Sequence, residues 1–243
     1  MLNAQLRGAP AFLASVRSAD EAQLALACGA DVIDCKDPVL GALGRLDISE
    51  IAAVVRDVAG RAPVSATIGD TFADAAGAVR AAEEVAEAGV AIVKCGFFGG
   101  PGDASTIAAL ASARLGGAHL FAVLMADRIA DFSLVPALAK AGFIGVMLDT
   151  AGKDTGALPE IMEAEQLTGF IAAARAHQLA AGLAGSLREG DIAPLAALGP
   201  ELLGFRGALC IGGRTGTMDI DCVLRVRQEI DRSGKVQRKR SVA

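Results

Sequence analysis

Short apolar runs alternate with amphipathic segments along the chain, and this alternation is the clearest pattern in the sequence. Apolar runs of four to eight residues that are bounded by turn residues are typical of buried β-strands. The pattern predicts eight strands, at Ala11–Val16, Asp31–Lys36, Pro63–Gly69, Ile92–Phe97, His119–Met125, Gly145–Thr150, Leu179–Ala184 and Leu202–Arg206.

The segments between these strands place apolar residues at helical spacing. Two stripes are clear: Ile48, Ile51, Ala52 and Val55, and then Leu167, Phe170, Ile171 and Ala174. Eight strand and helix repeats in about 220 residues predict one (β/α)8 TIM barrel. An open doubly wound sheet is the competing topology, but no G-x-G-x-x-G fingerprint follows the first strand, so the barrel is favoured.

The composition is that of a folded, core-rich protein. Of the 243 residues, 53% are hydrophobic, and the net charge is −5. Every run free of Asp, Glu, Lys and Arg is shorter than the 18 or so residues of a membrane span, so we expect no membrane association. The acidic balance also argues against nucleic acid as a partner.

The last residues differ from the rest of the chain in charge. Residues 232–243 carry five basic and no acidic side chains, which predicts a barrel domain at 1–231 and a flexible basic tail.

Cysteine and histidine usage narrows the possibilities further. The five cysteines are scattered without a CxxC pair, which favours a reducing, cytoplasmic compartment. His119 and His177 have no partner at ligand spacing, so we expect no metal and no cofactor. The high apolar share suggests a buried interface between copies and hence a homo-oligomer, although a barrel core alone could account for it.

Charged residues stand at the carboxyl ends of several predicted strands, where barrel enzymes build their active sites. Asp34 and Lys36 end the second strand on one face, because successive strand residues alternate faces. Lys94 lies in the fourth strand, Asp149 ends the sixth, and Lys153 follows it. Each lysine alone could simply reach solvent from a strand end. All five together predict a catalytic cluster.

Clustered lysines suggest a specific chemistry. An amine near another ammonium or in an apolar site loses its proton more easily, and a neutral lysine adds to carbonyls to form a Schiff base. A second lysine or a carboxylate can then move the proton that the imine makes acidic. The cluster therefore predicts aldolase-type chemistry.

The predicted loops after the seventh and eighth strands are rich in small residues, at the place where barrels commonly bind phosphate. Gly185, Ser186, Gly207 and Ala208 would offer backbone N–H groups, and Arg206 would add a bidentate contact. The sequence thus predicts a phosphate site beside the lysines.

The same residues connect the chain with a known family. Motifs in order along the chain resemble (5-formylfuran-3-yl)methyl phosphate synthase: Ala27–Pro38, Gly41–Gly44, Val64–Asp70, Val93–Gly96, Met147–Thr150, Lys153–Asp154, Leu183–Leu187 and Arg206–Ala208.

The resemblance implies a lyase of methanofuran-type cofactor biosynthesis. It would condense two molecules of glyceraldehyde 3-phosphate and release phosphate and water. By the same resemblance, Lys36 matches the imine-forming lysine and Lys94 the proton-transferring one, with Asp34, Asp149 and Lys153 as the charged groups around them.

Two other functions fit the residues. A different Schiff-base aldolase acting on another phosphosugar would use nearly the same lysine chemistry. A noncatalytic barrel that binds a phosphometabolite would use the lysines only as counter-ions.

Overall fold

Eight parallel strands close into a barrel in a computed structural model that describes residues 9–70, 72, 74–129, 131–152 and 156–241. The barrel strands are β1 (Ala11–Val16), β2 (Val32–Cys35), β3 (Val64–Thr67), β4 (Ile92–Phe97), β5 (His119–Met125), β6 (Gly145–Asp149), β7 (Ala180–Leu183) and β8 (Leu202–Phe205). The barrel closes where β8 pairs with β1, with Ala11 opposite Leu202. The predicted fold is confirmed, and the predicted strand ends differ from the observed ones by no more than two residues.

Helices follow the strands around the outside of the barrel. They are α1 (Ala19–Ala27), α2 (Ile48–Val58), α3 (Ala75–Glu87), α4 (Asp103–Leu110), α5 (Val135–Lys140), α6 (Leu158–Ile161), α7 (Ala164–Ala176), α8 (Glu189–Ala197) and α9 (Ile220–Ser241). After β8, a 3-10 turn (Gly207–Leu209) leads into a small hairpin of β9 (Cys210–Ile211) and β10 (Thr217–Met218). The predicted stripe of α7 is fully buried against the barrel.

Two apolar clusters stabilise this arrangement. The larger one lies between the strands and the helices and contains Ile33 and Cys35. The smaller one fills the inside of the barrel with residues such as Leu13, Phe121 and Met147. Asp34, between Ile33 and Cys35, faces the inside instead, as the alternation of strand side chains predicts.

The loop between β2 and α2 folds back over the barrel mouth. The backbone N–H groups of Ala42 and Leu43 donate to the Asp70 carboxylate, at 2.9 and 2.6 Å. This holds Leu43 fully buried within the inner cluster. A Cβ at Gly96 would lie 2.4 Å from Leu43 Cδ1, so glycine at that position makes room for the loop.

Helix α9 packs on the barrel through Val223, Val226 and Ile230, which are fully buried. Its backbone continues to Ser241. The expected boundary between residues 231 and 232 therefore falls inside a helix. Within the described part of the chain, no helix combines the length and the apolar character needed to cross a bilayer.

Candidate active site

A cavity of about 590 Å3 opens at the carboxyl ends of the barrel strands. Among the predicted site residues, those that line it are Lys36, Lys94, Asp149, Gly185, Ser186, Arg206, Gly207 and Ala208. Asp34 does not line the cavity but lies directly behind Lys94. Lys153 lies outside the described residues. The structure thus brings together residues from strands that are far apart in the sequence.

Lys94 and Asp34 form a deeply buried ion pair. Lys94 Nζ donates to Asp34 Oδ2 at 3.0 Å, and the side chains are 2% and 0% exposed. Asp34 also accepts from Ser15 Oγ at 3.0 Å and from Ser65 Oγ at 2.6 Å. A buried charge is tolerated only when it is paired and hydrogen-bonded, and these three donors meet that requirement.

Sequence reasoning missed Ser15 and Ser65. Both stand opposite Asp34 in the sheet register, one on each neighbouring strand. Cross-strand neighbours on one face lie within contact distance of each other. The sequence feature that could have revealed them is a serine on β1 and on β3 at the position paired with Asp34.

Lys36 forms a second pair with Asp149. Its Nζ donates to Asp149 Oδ2 at 3.3 Å, and the side chains are 12% and 9% exposed. The other carboxylate oxygen accepts from the backbone N–H of Thr150 at 2.8 Å. Lys36 is thus held at the cavity wall and does not extend into bulk water.

The two lysines differ in their affinity for a proton. Burial lowers the pKa of Lys94, and the positive charge of Lys36 lowers it further, outweighing the attraction of Asp34. Burial also lowers the pKa of Lys36, but the charges of Asp149 and Asp34 and the hydrogen bond with Asp149 outweigh it, so the net pKa is raised. Burial thus sets the direction of the pKa shift at Lys94, whereas at Lys36 the attraction of the carboxylates exceeds the effect of burial.

The loops after β7 and β8 present backbone N–H groups to the cavity. Among the described residues, the N–H groups of Gly185, Ser186, Gly207 and Ala208 have no hydrogen-bond acceptor. Gly185 has a φ of +101°, and a Cβ there would lie 2.8 Å from Thr150 Cγ2. Glycine at 185 is therefore required by both conformation and space.

Arg206 lies at the expected place but is engaged elsewhere. Its guanidinium has five N–H donors, and all five find acceptors within the chain. They donate to both carboxylate oxygens of Glu21 and to the carbonyl oxygens of Ser15, Arg214 and Gly216. Arg206 was predicted to make a bidentate contact with phosphate. In the structure its guanidinium instead binds the Glu21 carboxylate of helix α1.

The sequence reasoning also missed Arg214, which lines the cavity together with Arg188 and Arg206. Arg214, half-buried in the turn between β9 and β10, lines the cavity. Its Nη2 donates to the Pro38 carbonyl oxygen at 3.1 Å. The sequence feature that could have revealed it is an arginine between Gly213 and Gly216, shortly after the predicted phosphate loop.

Metal binding finds no support in the part of the chain that the structure describes. No three His, Cys, Asp or Glu side chains are grouped there as a metal site needs. All five cysteines are free and buried. The titratable groups that line the cavity include Lys36, Lys94, Asp149 and, after β7, Glu189.

Comparison with known sequences gives a consistent result. The family model of 4-HFC-P synthase matches residues 12–227. A Methylorubrum extorquens protein, provisionally named (5-formylfuran-3-yl)methyl phosphate synthase, is 47% identical over 204 residues, which are 83% of each chain. The (5-formylfuran-3-yl)methyl phosphate synthase of Methanothermobacter thermautotrophicus is 32% identical over 236 residues, which are 90% of this chain and 98% of the relative.

Solved structures with a similar fold are more distant in sequence. Phosphoribosyl anthranilate isomerase from Thermus thermophilus superposes with a TM-score of 0.63 at 14% identity, over 90% of this chain and 97% of the other. A 3-hexulose-6-phosphate synthase superposes with a TM-score of 0.59 at 21% identity, over 90% and 99%. At such identities the similarity shows the barrel fold.

Proposed function

Because the chain belongs to the 4-HFC-P synthase family, we propose that it makes (5-formylfuran-3-yl)methyl phosphate from two molecules of glyceraldehyde 3-phosphate. The pathway would be the biosynthesis of a methanofuran-type cofactor. Atom balance requires that two triose phosphates give the furan, one inorganic phosphate and two waters, with no net oxidation. The enzyme would thus be a carbon–oxygen lyase acting on phosphates.

The observation that carries this proposal is the pair of lysines at one cavity. Lys36 and Lys94 each contact a buried carboxylate, and both line the same wall. A barrel that only bound a phosphometabolite would gain more from lysines whose charge is free. The two lysines also differ in pKa direction, so they can take different roles in one reaction. The covalent role of Lys36 follows the family resemblance, and its raised pKa means that Asp149 must first take its proton.

Imine formation is assigned to Lys36. Its ammonium first loses a proton to Asp149, whose Oδ2 lies 3.3 Å away. One glyceraldehyde 3-phosphate first isomerises to its ketone form, as its C2 hydrogen moves to C1 and its C2 hydroxyl proton to the C1 oxygen, with no net oxidation. The neutral nitrogen of Lys36 then bonds to the ketone carbon, and water leaves. The resulting protonated imine withdraws electrons from the neighbouring carbon and makes its C–H bond acidic.

Proton transfer is assigned to Lys94. Its lowered pKa makes the neutral amine easier to reach. That neutral form accepts the C–H proton, and Asp34 stabilises the ammonium that results. The enamine carbon then bonds to the aldehyde carbon of the second triose. Hydrolysis of the imine returns Lys36 and takes up the water released earlier. Elimination of phosphate and water during ring closure is driven by formation of the aromatic furan.

Substrate phosphate would bind at the free N–H groups of Gly185, Ser186, Gly207 and Ala208. Backbone N–H groups directed at one point bind anions without needing a mobile side chain. The loops lie beside Lys36 at the cavity, so a phosphate there would place the triose carbonyl near its amine.

The covalent step is tested by reduction with borohydride. Incubation with glyceraldehyde 3-phosphate and borohydride should add the mass of the reduced triose to Lys36, as read by peptide mass spectrometry. Labelling should increase with pH, because the raised pKa keeps Lys36 protonated at neutral pH. The Lys36→Arg variant is the control and should not be labelled.

Two results would redirect the proposal. Binding of the triose phosphate without any reducible adduct would favour the noncatalytic barrel. Adduct formation with consumption of triose, but without a furan absorbance, would favour another aldolase. The chain contains no Trp and no Tyr, so a conjugated furan aldehyde absorbing near 280 nm would appear against a low protein background.

A further inference from the structure

Two arginines follow β8 at the cavity, and their surroundings differ. Arg206 uses all five of its N–H donors on acceptors within the chain. Arg214 makes one side-chain hydrogen bond among the described residues, from Nη2 to the Pro38 carbonyl oxygen. Four of the five Arg214 donors are therefore available, while its charge sits at the cavity wall.

The turn that carries Arg214 is held in a fixed position. Gly212 and Gly213 have φ values of +82° and +77°, and a Cβ at Gly216 would lie 1.9 Å from the Ile211 carbonyl oxygen. Arg206 Nε donates to the Arg214 carbonyl oxygen at 3.0 Å, and Arg206 Nη2 donates to that of Gly216 at 3.2 Å. Arg206 thus stabilises the backbone of the turn. Glu21 in turn binds Arg206 and connects it to α1.

This arrangement directs Arg214 at the predicted phosphate loop. The Arg214 backbone N lies 3.6 Å from where a Cβ of Gly207 would be, so the turn rests on the loop that offers free N–H groups. The charge of Arg214 also reaches Lys36, whose pKa it lowers against the stronger pull of the carboxylates. The guanidinium therefore shares the cavity with these N–H groups and acts on the charge of the reactive amine.

We propose that Arg214 is the side chain that binds the phosphate group of the substrate, and that Arg206 is a positioning residue that holds the Arg214 turn. This inference rests on the proposed function for the identity of the substrate, but anion binding itself can be tested without catalysis. A guanidinium with free donors next to open backbone N–H groups suits a phosphate monoester, because it adds charge-assisted contacts to neutral ones.

Binding of inorganic phosphate to the intact protein, measured by calorimetry, tests the anion site. Arg214→Ala should weaken phosphate binding about 10- to 100-fold, the range of one or two charge-assisted hydrogen bonds. Arg128→Ala is the matched control, since Arg128 is an exposed arginine at the same end of the barrel that does not line the cavity. Its phosphate affinity should equal that of the wild type. Equal affinity of Arg214→Ala and wild type, or no binding by the wild type, would overturn the proposal.

A second measurement separates anion binding from folding. Borohydride labelling of Lys36 is compared for glyceraldehyde 3-phosphate and for unphosphorylated glyceraldehyde. Arg214→Ala should lose most of the preference for the phosphorylated triose and keep its labelling by the unphosphorylated one. A loss of both labels together with a lower melting temperature would mean that Arg214 is structural, and would also overturn the proposal.

The two proposals fail in different ways. If the wild type forms no adduct with either triose, but Arg214→Ala still loses phosphate affinity, the Schiff-base function is wrong and the assignment of Arg214 stands. If adducts form and Arg214→Ala binds phosphate normally, the function stands and the assignment of Arg214 is wrong.

Discussion

At the scale of single residues, Lys36 and Lys94 show how similar side chains acquire different chemistry. Both are lysines at barrel strands and both contact an aspartate. Lys94 lies deeper, and burial dominates its pKa. At Lys36 the attraction of Asp149 and Asp34 prevails over burial, so its pKa is raised and it retains its proton. Lys36 must therefore give up a proton before it can attack, and Asp149 is placed to accept it.

The buried Lys94–Asp34 pair leads to a stability prediction. Lys94→Met should lower the free energy of unfolding by about 3–5 kcal/mol, because it leaves the Asp34 charge without its cation. The double variant Lys94→Met with Asp34→Asn should recover most of this loss, since neither charge is then buried. Urea unfolding of Lys94→Met, Asp34→Asn and the double variant measures the interaction free energy between the two side chains. Additive losses would show that the two side chains do not stabilise each other.

At the scale of elements, the loops at the carboxyl ends of the strands are fixed by contacts between loops. Asp70 after β3 holds the loop after β2. Asp127 after β5 accepts the backbone N–H groups of Ala151 and Gly152 after β6, both at 2.8 Å. Arg206 after β8 holds the following turn. These three segments are thus each positioned by a side chain outside them, which lowers the entropy cost of ordering them when substrate binds.

The loop after β7 offers a test at this scale. Gly185→Ala should cost about 1–3 kcal/mol of stability, because the new methyl group would meet Thr150 and the positive φ would be strained. It should also weaken phosphate binding, since Ser186 N–H would move. Gly169→Ala is the matched control, because Gly169 lies exposed in α7 with open space around it. That change should stabilise the protein by about 0.5–1 kcal/mol.

Thermal unfolding and phosphate titration of the two alanine variants test whether the loop after β7 forms part of an anion site. A Gly185→Ala protein with wild-type stability and wild-type phosphate affinity would mean that this loop does not form part of an anion site.

At the scale of the whole molecule, the barrel depends on contacts between its beginning and its end. β8 closes on β1, Arg206 binds Glu21 of α1, and Arg227 of α9 binds Asp31 at 2.9 Å. These contacts join residues that are about 200 positions apart in the sequence. We therefore expect folding to be complete only when α9 has docked.

Truncation measures how much of α9 the barrel needs. A chain ending at residue 231 keeps the buried Val223, Val226 and Ile230 and should fold with a melting temperature close to that of the full protein. A chain ending at residue 219 loses about 5–9 kcal/mol of apolar burial, which is comparable to the whole stability of a domain. Circular dichroism should show it unfolded. A folded 1–219 chain would mean that α9 is peripheral.

The sequence by itself determined the barrel, its eight strands and the position of Asp34, Lys36, Lys94 and Asp149 at one end. It could do so because strand alternation and the carboxyl-end rule for barrel sites depend only on local pattern. Only the tertiary structure decided which aspartate each lysine meets, that the Lys36 pKa is raised, and that Arg206 is already occupied. Those outcomes depend on side chains from distant strands and helices competing for the same donors and charges, and no local pattern records that competition.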